Sequence, residues 1–312
     1  MIEILIYKPE FKNNWITVLE RSKNGTFLFH RDYMDYHSDR FNDLSFLIFK
    51  KGNPEGILPG NISDKVFYSH QGLTYGGLIS TDKLVTEDFL IIFELINTEL
   101  KKKGIKEVVY KPVPYIYHKQ PSQEDIYALF KLRATKIGCN ISSTIYQNNK
   151  IKFIESRKSG LRKSKKEGVY MEESNSFELF WPILNSNLNE RYKTNSVHTL
   201  EEITFLYSKF PNNIKLFLAY RYNEPVAGTV IFLTDEVIHV QYISANSIGK
   251  ECGALDMLFD ELINQKYTNK PIFDFGQSTE RMGEFLNENL IFQKEGFGGR
   301  GVVYDIYKYT ID

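Results

Sequence analysis

Apolar and polar positions along this chain fall into blocks that predict strand, helix and strand in alternation, and the order recurs in both halves. The clearest block runs from Leu216 to Gly299. Leu216–Tyr222 and Val226–Leu233 are apolar runs joined by Asn223-Glu224-Pro225, and Val237–Ala245 follows after Asp235-Glu236. Leu255, Leu258, Phe259 and Leu262 then share one helical face, predicting a helix over Gly253–Lys266. Pro271–Ser278 returns as a strand, Arg281–Asn289 reads as a helix, Gln293–Gly299 as a glycine-rich loop, and Val302–Tyr309 as a last strand.

The first half predicts strands at Leu44–Phe49, Gly56–Pro59 and Lys65–His70, then a helix at Thr86–Lys103 with Phe89, Ile92, Phe93, Ile96 and Leu100 along one side. A strand at Glu107–Val113, a helix at Gln123–Ile137 and a strand at Ile141–Gln147 complete it. The join lies between Gln147 and Ser176. It holds a helix at Ser159–Gly168, ended by a glycine suited to a left-handed C-terminal position. Helices at Phe177–Arg191 and Leu200–Phe210 follow. Pro182 must sit in the first turn of its helix or kink it. The recurring order predicts two domains, residues 1–150 and 151–312, in a mixed α/β class.

Composition changes the picture in three ways. A chain of 312 residues with 23 Phe and 20 Tyr has aromatic mass for two packed cores and for aromatic-lined pockets. Lys plus Arg and Asp plus Glu balance at 39 each, so a nucleic-acid or membrane partner would need a local basic patch. Cys139 and Cys252 are too few for a disulfide framework or zinc cluster and read as buried small hydrophobes. The N-terminus lacks the basic start and long apolar core of a signal peptide, and no apolar run would span a bilayer, which predicts a cytoplasmic protein with no membrane insertion. His30, Asp32, His37 and Asp39 match no metal-ligand spacing. Serine-hydrolase elbows and lysine-bearing P-loops are absent.

Three stretches carry a family resemblance. Arg162-Lys163-Ser164-Lys165-Lys166-Glu167-Gly168-Val169 is similar to a basic helix of the form RKAxKxGV. Pro225-Val226-Ala227-Gly228 resembles an xPVAG hairpin, and Gln293-Lys294-Glu295-Gly296-Phe297-Gly298 an FKxGFG ending. Tyr75-Gly76-Gly77-Leu78 is similar to a first-domain YGG segment. Together they resemble the GNAT superfamily of acyl-CoA N-acyltransferases in its doubled form, the Fem-type aminoacyltransferases and their acetyltransferase relatives. The resemblance implies two tandem GNAT-like domains and an acyl transfer. The donor it implies is acyl-CoA, acetyl-CoA in the first place, and no metal is implied. Aminoacyl-tRNA, the donor of Fem relatives, is the alternative. The acceptor it implies is an amine or amino sugar, nucleotide-linked or part of a cell-envelope precursor.

The candidate residues follow. Lys294 sits in the matched ending, where the family implies a lysine near the reacting carbonyl or a substrate phosphate; otherwise it is a solvated loop lysine. Asp274 stands in an apolar strand, where a carboxylate must line a pocket or pair. It reads as a general base, an ammonium anchor, or the partner of Arg281 or Lys294. Strand alternation puts Tyr242 and Ser244 on one face and His239 and Gln241 on the other. Tyr242 is a proton donor to the leaving group, His239 a base or a structural histidine, and Gln241 and Ser278 substrate contacts. Asn246, Gly249 and Gly253, with Ser244, occupy the place of the superfamily's pyrophosphate loop, here with stretched glycine spacing and an intruding Glu251. That irregular loop also suits a binding protein without turnover. Six positive charges lie within residues 157–166. Of these, Arg162, Lys163 and Lys166 could hold a diphosphate, with Arg191 facing the same cleft.

Overall fold

The structure is a computed structural model that describes residues 1–311, the side chains of Arg191 and Tyr192 excepted. The chain forms two compact units. One comprises Met1–Asn140, Thr279–Phe285 and residues 303–311; the other comprises Ile141–Ser278 and Leu286–Val302.

In the first unit, Ile2–Ile6, Phe46–Lys50, Asn53–Leu58 and Ile79–Ser80 form an antiparallel sheet in that order. A second set of strands joins residues 307–310, Glu107–Tyr110, Val66–Tyr68, Asn61–Ser63 and Asn42–Asp43. The helix Thr86–Lys102 buries the predicted stripe of Phe89, Ile92, Phe93, Ile96 and Leu100 against Phe46, Ile48, Phe67 and Tyr110. Its start is fixed by Asp88, whose carboxylate accepts the Val85 N–H at 2.8 Å and the Lys50 ammonium at 2.6 Å. The helix predicted over Gln123–Ile137 stops early, at Lys131. Arg133 takes a left-handed φ of 56°, the Ala134 N–H bonds back to the Leu129 carbonyl, and a strand starts at Thr135. Cys139 lies on the outward side of that strand and is exposed; only Cys252 is the buried hydrophobe expected of both.

In the second unit Tyr170–Ser174, Ile214–Arg221, Glu224–Leu233 and Val237–Ala245 pair antiparallel in that order. Ile272–Gln277 then joins Val237–Ala245 in parallel and pairs antiparallel with residues 142–146 on its other side. Tyr222 and Asn223 both adopt left-handed φ, 51° and 63°, and make the two-residue hairpin between the first long strands. Pro225 falls inside the next strand rather than in the turn, tolerated because the pairing slips there. Helices Glu155–Lys166 and Ala254–Glu261 cover one face, where Phe259 packs among Phe273, Phe275 and Phe297. Each such ring contributes about 1.5–3 kcal/mol on burial. Helices Phe177–Tyr192 and Leu200–Lys209 cover the other face.

Pro182 lies in the second turn of its helix, where its missing N–H leaves the Glu178 carbonyl without an intrahelical donor. Two expectations are corrected here. The stretch predicted as a helix at Arg281–Asn289 is not one. Arg281 and Met282 are both left-handed and Gly283 has φ 102°, so the chain turns until Asn287 caps a helix at Glu288–Gly296. Lys294 therefore sits in the last turn of a helix, not in a solvated loop. Finally, the helix after Gly253 is regular only to Glu261 and ends in a π-type turn over Leu262–Lys266.

Candidate active site

Two neighbouring strands of the second unit part company. Val237–Ala245 and Ile272–Gln277 are in parallel register only at Val237, Ile238 and His239, opposite Ile272, Phe273 and Asp274. Beyond His239 the two strands no longer pair, and each is bulged where the gap opens. On the first strand Val230 faces Tyr242 while Ile231 faces Val240, so Gln241 is the extra residue. On the second, Asp274 faces Thr144 while Gln277 faces Ser142, so Phe275 and Gly276 together span one residue of the partner. Main-chain groups along the gap have left the ladder.

The Gln241 bulge corrects the alternation read from sequence. Val240 and Ile243 pack into the aromatic cluster on one side, so His239, Tyr242 and Ser244 share the opposite face. Asp274 belongs to that face as well, because Phe273 and Phe275 point into the cluster.

At the last paired position Asp274 is fully buried. Its Oδ2 lies 2.8 Å from His239 Nδ1; its Oδ1 accepts the Ser142 and Thr144 hydroxyls, the latter at 3.0 Å. A buried carboxylate without partners would be costly, and here the acceptors are answered by hydroxyls and an imidazole. An ionised carboxylate only accepts, which favours the ring tautomer that carries its proton on Nδ1. Gly276 makes room for this ring. Its φ is 73°, and a Cβ there would lie 3.1 Å from His239 Cε1.

Lys294 is 4% exposed and donates to the Gly276 and Gln277 carbonyls at 2.8 and 2.7 Å. Burial pushes its ammonium down to about 8, against the pull of Asp274. His239 is an ion-pair partner of Asp274, and the Lys294 ammonium also feels its charge. The Tyr242 hydroxyl meets His198 twice, accepting its backbone N–H at 3.1 Å and lying 2.6 Å from Nδ1. Burial pushes that phenol up to about 12, partly offset by the His198 N–H. Ser244 donates to the Ile183 carbonyl and accepts from Asn187, at 3.0 and 2.8 Å. Ser278 is buried with an Oγ that has no hydrogen-bond partner.

The loop expected to hold a pyrophosphate is a short helix, Ser247–Cys252. Asn246 caps it by accepting the Gly249 N–H at 2.9 Å. A Cβ on Gly249 would meet the Val226 carbonyl at 2.2 Å, and one on Gly253, whose φ is 72°, the Gly160 carbonyl at 2.5 Å. Both glycines serve close packing within the chain, and one expected phosphate donor is already engaged. These residues fit a diphosphate poorly. Arg162, Lys163 and Lys166 are exposed along the helix Glu155–Lys166. Arg162 pairs with Glu155 at 2.6 Å, and Lys163 lies 3.8 Å from Glu167. Arg191 lies outside the described side chains. Among the described residues no group of three or more His, Cys, Asp or Glu side chains could hold a metal, and no helix is long and apolar enough to cross a membrane.

Asp274, Tyr242 and Ser244 are thus brought onto one face, with Lys294 behind the bulge, while Arg162, Lys163 and Lys166 stand on a separate helix. His198, Asn187, Ser142 and Thr144 were missed by the sequence reading. Isolated hydroxyls and amides carry no spacing signal, and His198 lies 44 residues from its partner Tyr242.

No family model and no curated protein matches the chain. Solved structures do. FemX aligns over 99% of this chain and 97% of its own, with a TM-score of 0.71 at 11% identity. The L-PGS structure from Bacillus licheniformis covers 97% of this chain and 91% of its own, with a TM-score of 0.62 at 12% identity. The C-terminal domain of a putative lysylphosphatidylglycerol synthetase from Agrobacterium fabrum covers 97% and 92%, with a TM-score of 0.59 at 10% identity. The chain has the fold of FemX over nearly its whole length, a mixed α/β architecture.

Proposed function

We propose that this protein is an N-acyltransferase whose active site lies in its C-terminal domain, residues 151–312, and that it moves an acyl group, acetyl in the simplest case, from coenzyme A to the amine of a sugar or cell-envelope precursor. The single observation that carries this reading is the parted strand pair with the Asp274–His239 contact at its vertex. An acyl carbonyl laid along the gap would meet main-chain N–H groups of the bulge at Gln241, the kind of donors that stabilise a developing oxyanion and are worth roughly 3 kcal/mol each. His239 Nε2 takes the proton of the attacking ammonium while Asp274 holds the ring. The C–N bond forms, the C–S bond breaks, and Tyr242, protonated at neutral pH, gives its proton to the departing thiolate and regains one from the newly acylated nitrogen. Lys294 secures the Gly276 bulge. Arg162, Lys163, Lys166, Arg191 and Ser278 remain proposed contacts to the substrate.

The self-capped helix at Ser247–Cys252 favours a second reading, in which aminoacyl-tRNA supplies the acyl group and the exposed basic helix meets phosphates. One experiment separates the two. Purified protein is incubated with acetyl-CoA and a panel of amino sugars and amines, and free thiol is measured. Thiol release with acylated amine supports coenzyme A as donor. Silence across the panel, with tRNA binding that weakens steeply as salt rises, moves the assignment to the second reading. Silence in both assays leaves the acyltransfer proposal refuted.

A further inference from the structure

We propose that the first unit carries an oxyanion-binding site, built by His70, Lys111 and His37, for a carboxylate or phosphate group of a small-molecule ligand. It rests on residues of that unit alone and does not depend on the acyl-transfer reading.

The cluster is rich in donors and poor in acceptors. The Lys111 ammonium has three N–H groups, of which one goes to the Leu73 carbonyl. Burial pushes its proton affinity down to about 8, and among the described residues it forms no ion pair with a carboxylate. His70 is 3% exposed, and its Nδ1 has no hydrogen-bond partner. His37 is 2% exposed; neither ring nitrogen completes a hydrogen bond, although the Met34 and Gly72 backbones lie close enough to favour its protonated form. The two imidazoles sit 5.5 Å apart, with Phe41 against both and Tyr36 stacked on His37.

The local field is positive. Burial first, then His37, Lys111 and Arg31, together push the proton affinity of His70 down to about 3. Arg31 is itself paired with Asp35 and Asp43, and His37 faces Arg40 and Asp39. Buried polar groups left without partners call for an explanation, and an oxyanion answers all of these at once: it accepts from Lys111 and restores protons to the imidazoles.

The surrounding backbone is built and held. His70 adopts a left-handed φ of 70°, a costly conformation for a non-glycine residue. The loop that carries it is fixed on both sides. Asn61 bonds the Gln71 backbone and side chain at 2.9 and 2.7 Å, Ser69 Oγ accepts the Lys111 N–H at 2.8 Å, and the Gly76 N–H reaches the Lys111 carbonyl, also at 2.8 Å. Gly72 is needed beside the ring, since a Cβ there would lie 2.2 Å from His37 Nε2.

The test is an NMR titration of the full chain labelled at its six histidines, with inorganic phosphate in one arm and acetate in the other. His70→Asn and His37→Gln assign the signals; asparagine tolerates the left-handed backbone at residue 70. Saturable shifts of the His70 and His37 signals, with proton uptake, are expected, and the stronger arm names the group. Lys111→Met should weaken the response at least about tenfold, the worth of one charge-assisted hydrogen bond, whereas Lys111→Arg should keep it. Silent signals in both arms of the wild-type titration, which needs no variant to fold, overturn the proposal. So does a response undiminished in Lys111→Met, or a histidine response to zinc alone.

Discussion

Replacing Asp274 by Asn is the sharpest perturbation of the proposed chemistry. The substitution keeps the shape of the side chain and removes its charge. Asp274 now answers three hydrogen atoms, from Ser142, Thr144 and His239. The amide has one oxygen for acceptance and two N–H groups of its own. If the oxygen stays with the hydroxyls, an N–H points at His239 Nδ1 and drives the imidazole proton to Nε2, which ends its role as a base. The rate should therefore fall by about 10²–10⁴, the usual contribution of a positioned general base. Stability should fall too, by about 1.5–3 kcal/mol for a lost hydrogen bond to a charged group. The assay is the rate of thiol release across pH, alongside thermal unfolding. His239→Gln should lose as much as Asp274→Asn, and the double variant little more, because the two side chains act as one device. A folded Asp274→Asn protein within threefold of wild type, or losses that multiply in the double variant, would refute this role.

Other outcomes can be checked on the same protein. Lys294→Met should destabilise the fold by about 2–3 kcal/mol through the two orphaned carbonyls, read as a lower midpoint in urea. The sign with pH is specific. Lys294 holds its proton less tightly when folded, about 8 against 10.5, so the unfolded chain binds more protons between those values. The stability of wild type relative to Lys294→Met should therefore rise across that window. Tyr242→Phe should cost about 1–3 kcal/mol by stranding the His198 N–H, measured by thermal unfolding, and should also slow thiol release if the phenol donates its proton. Gly276→Ala should cost about 1 kcal/mol for its left-handed backbone and reduce turnover further by displacing His239. Arg162→Ala with Lys166→Ala should leave the melting temperature unchanged, both side chains being exposed, and flatten the salt dependence of any phosphate-bearing ligand.

Much of the fold was legible because it is written in periodic apolar positions. The stripe of Thr86–Lys102 and the strand Val237–Ala245 match their sequence readings closely, since burial of one helical face or of a central strand leaves a repeating mark. Failures cluster where backbone geometry breaks the period. Arg133, Arg281 and Met282 adopt left-handed φ that their residue types do not announce, so two predicted helices ran through turns. The bulge at Gln241 adds one residue and exchanges the faces of everything after it, which is why His239 was read apart from Tyr242. Asp274 was legible as a carboxylate in an apolar strand; its partner was not, because His239 lies 35 residues away and joins it only through a parallel pairing.

The split between Val237–Ala245 and Ile272–Gln277 has a consequence for mutational mapping. If the reacting group is met there by peptide amides, alanine scanning along Val240–Ile243 will under-report the site, since every alanine retains the amide. Exchanging a single peptide linkage for an ester, which deletes one N–H and leaves the side chain untouched, interrogates the component that truncation never reaches. Side-chain exchange beside such a gap would then cost little, in keeping with a fold shared with FemX at 11% identity.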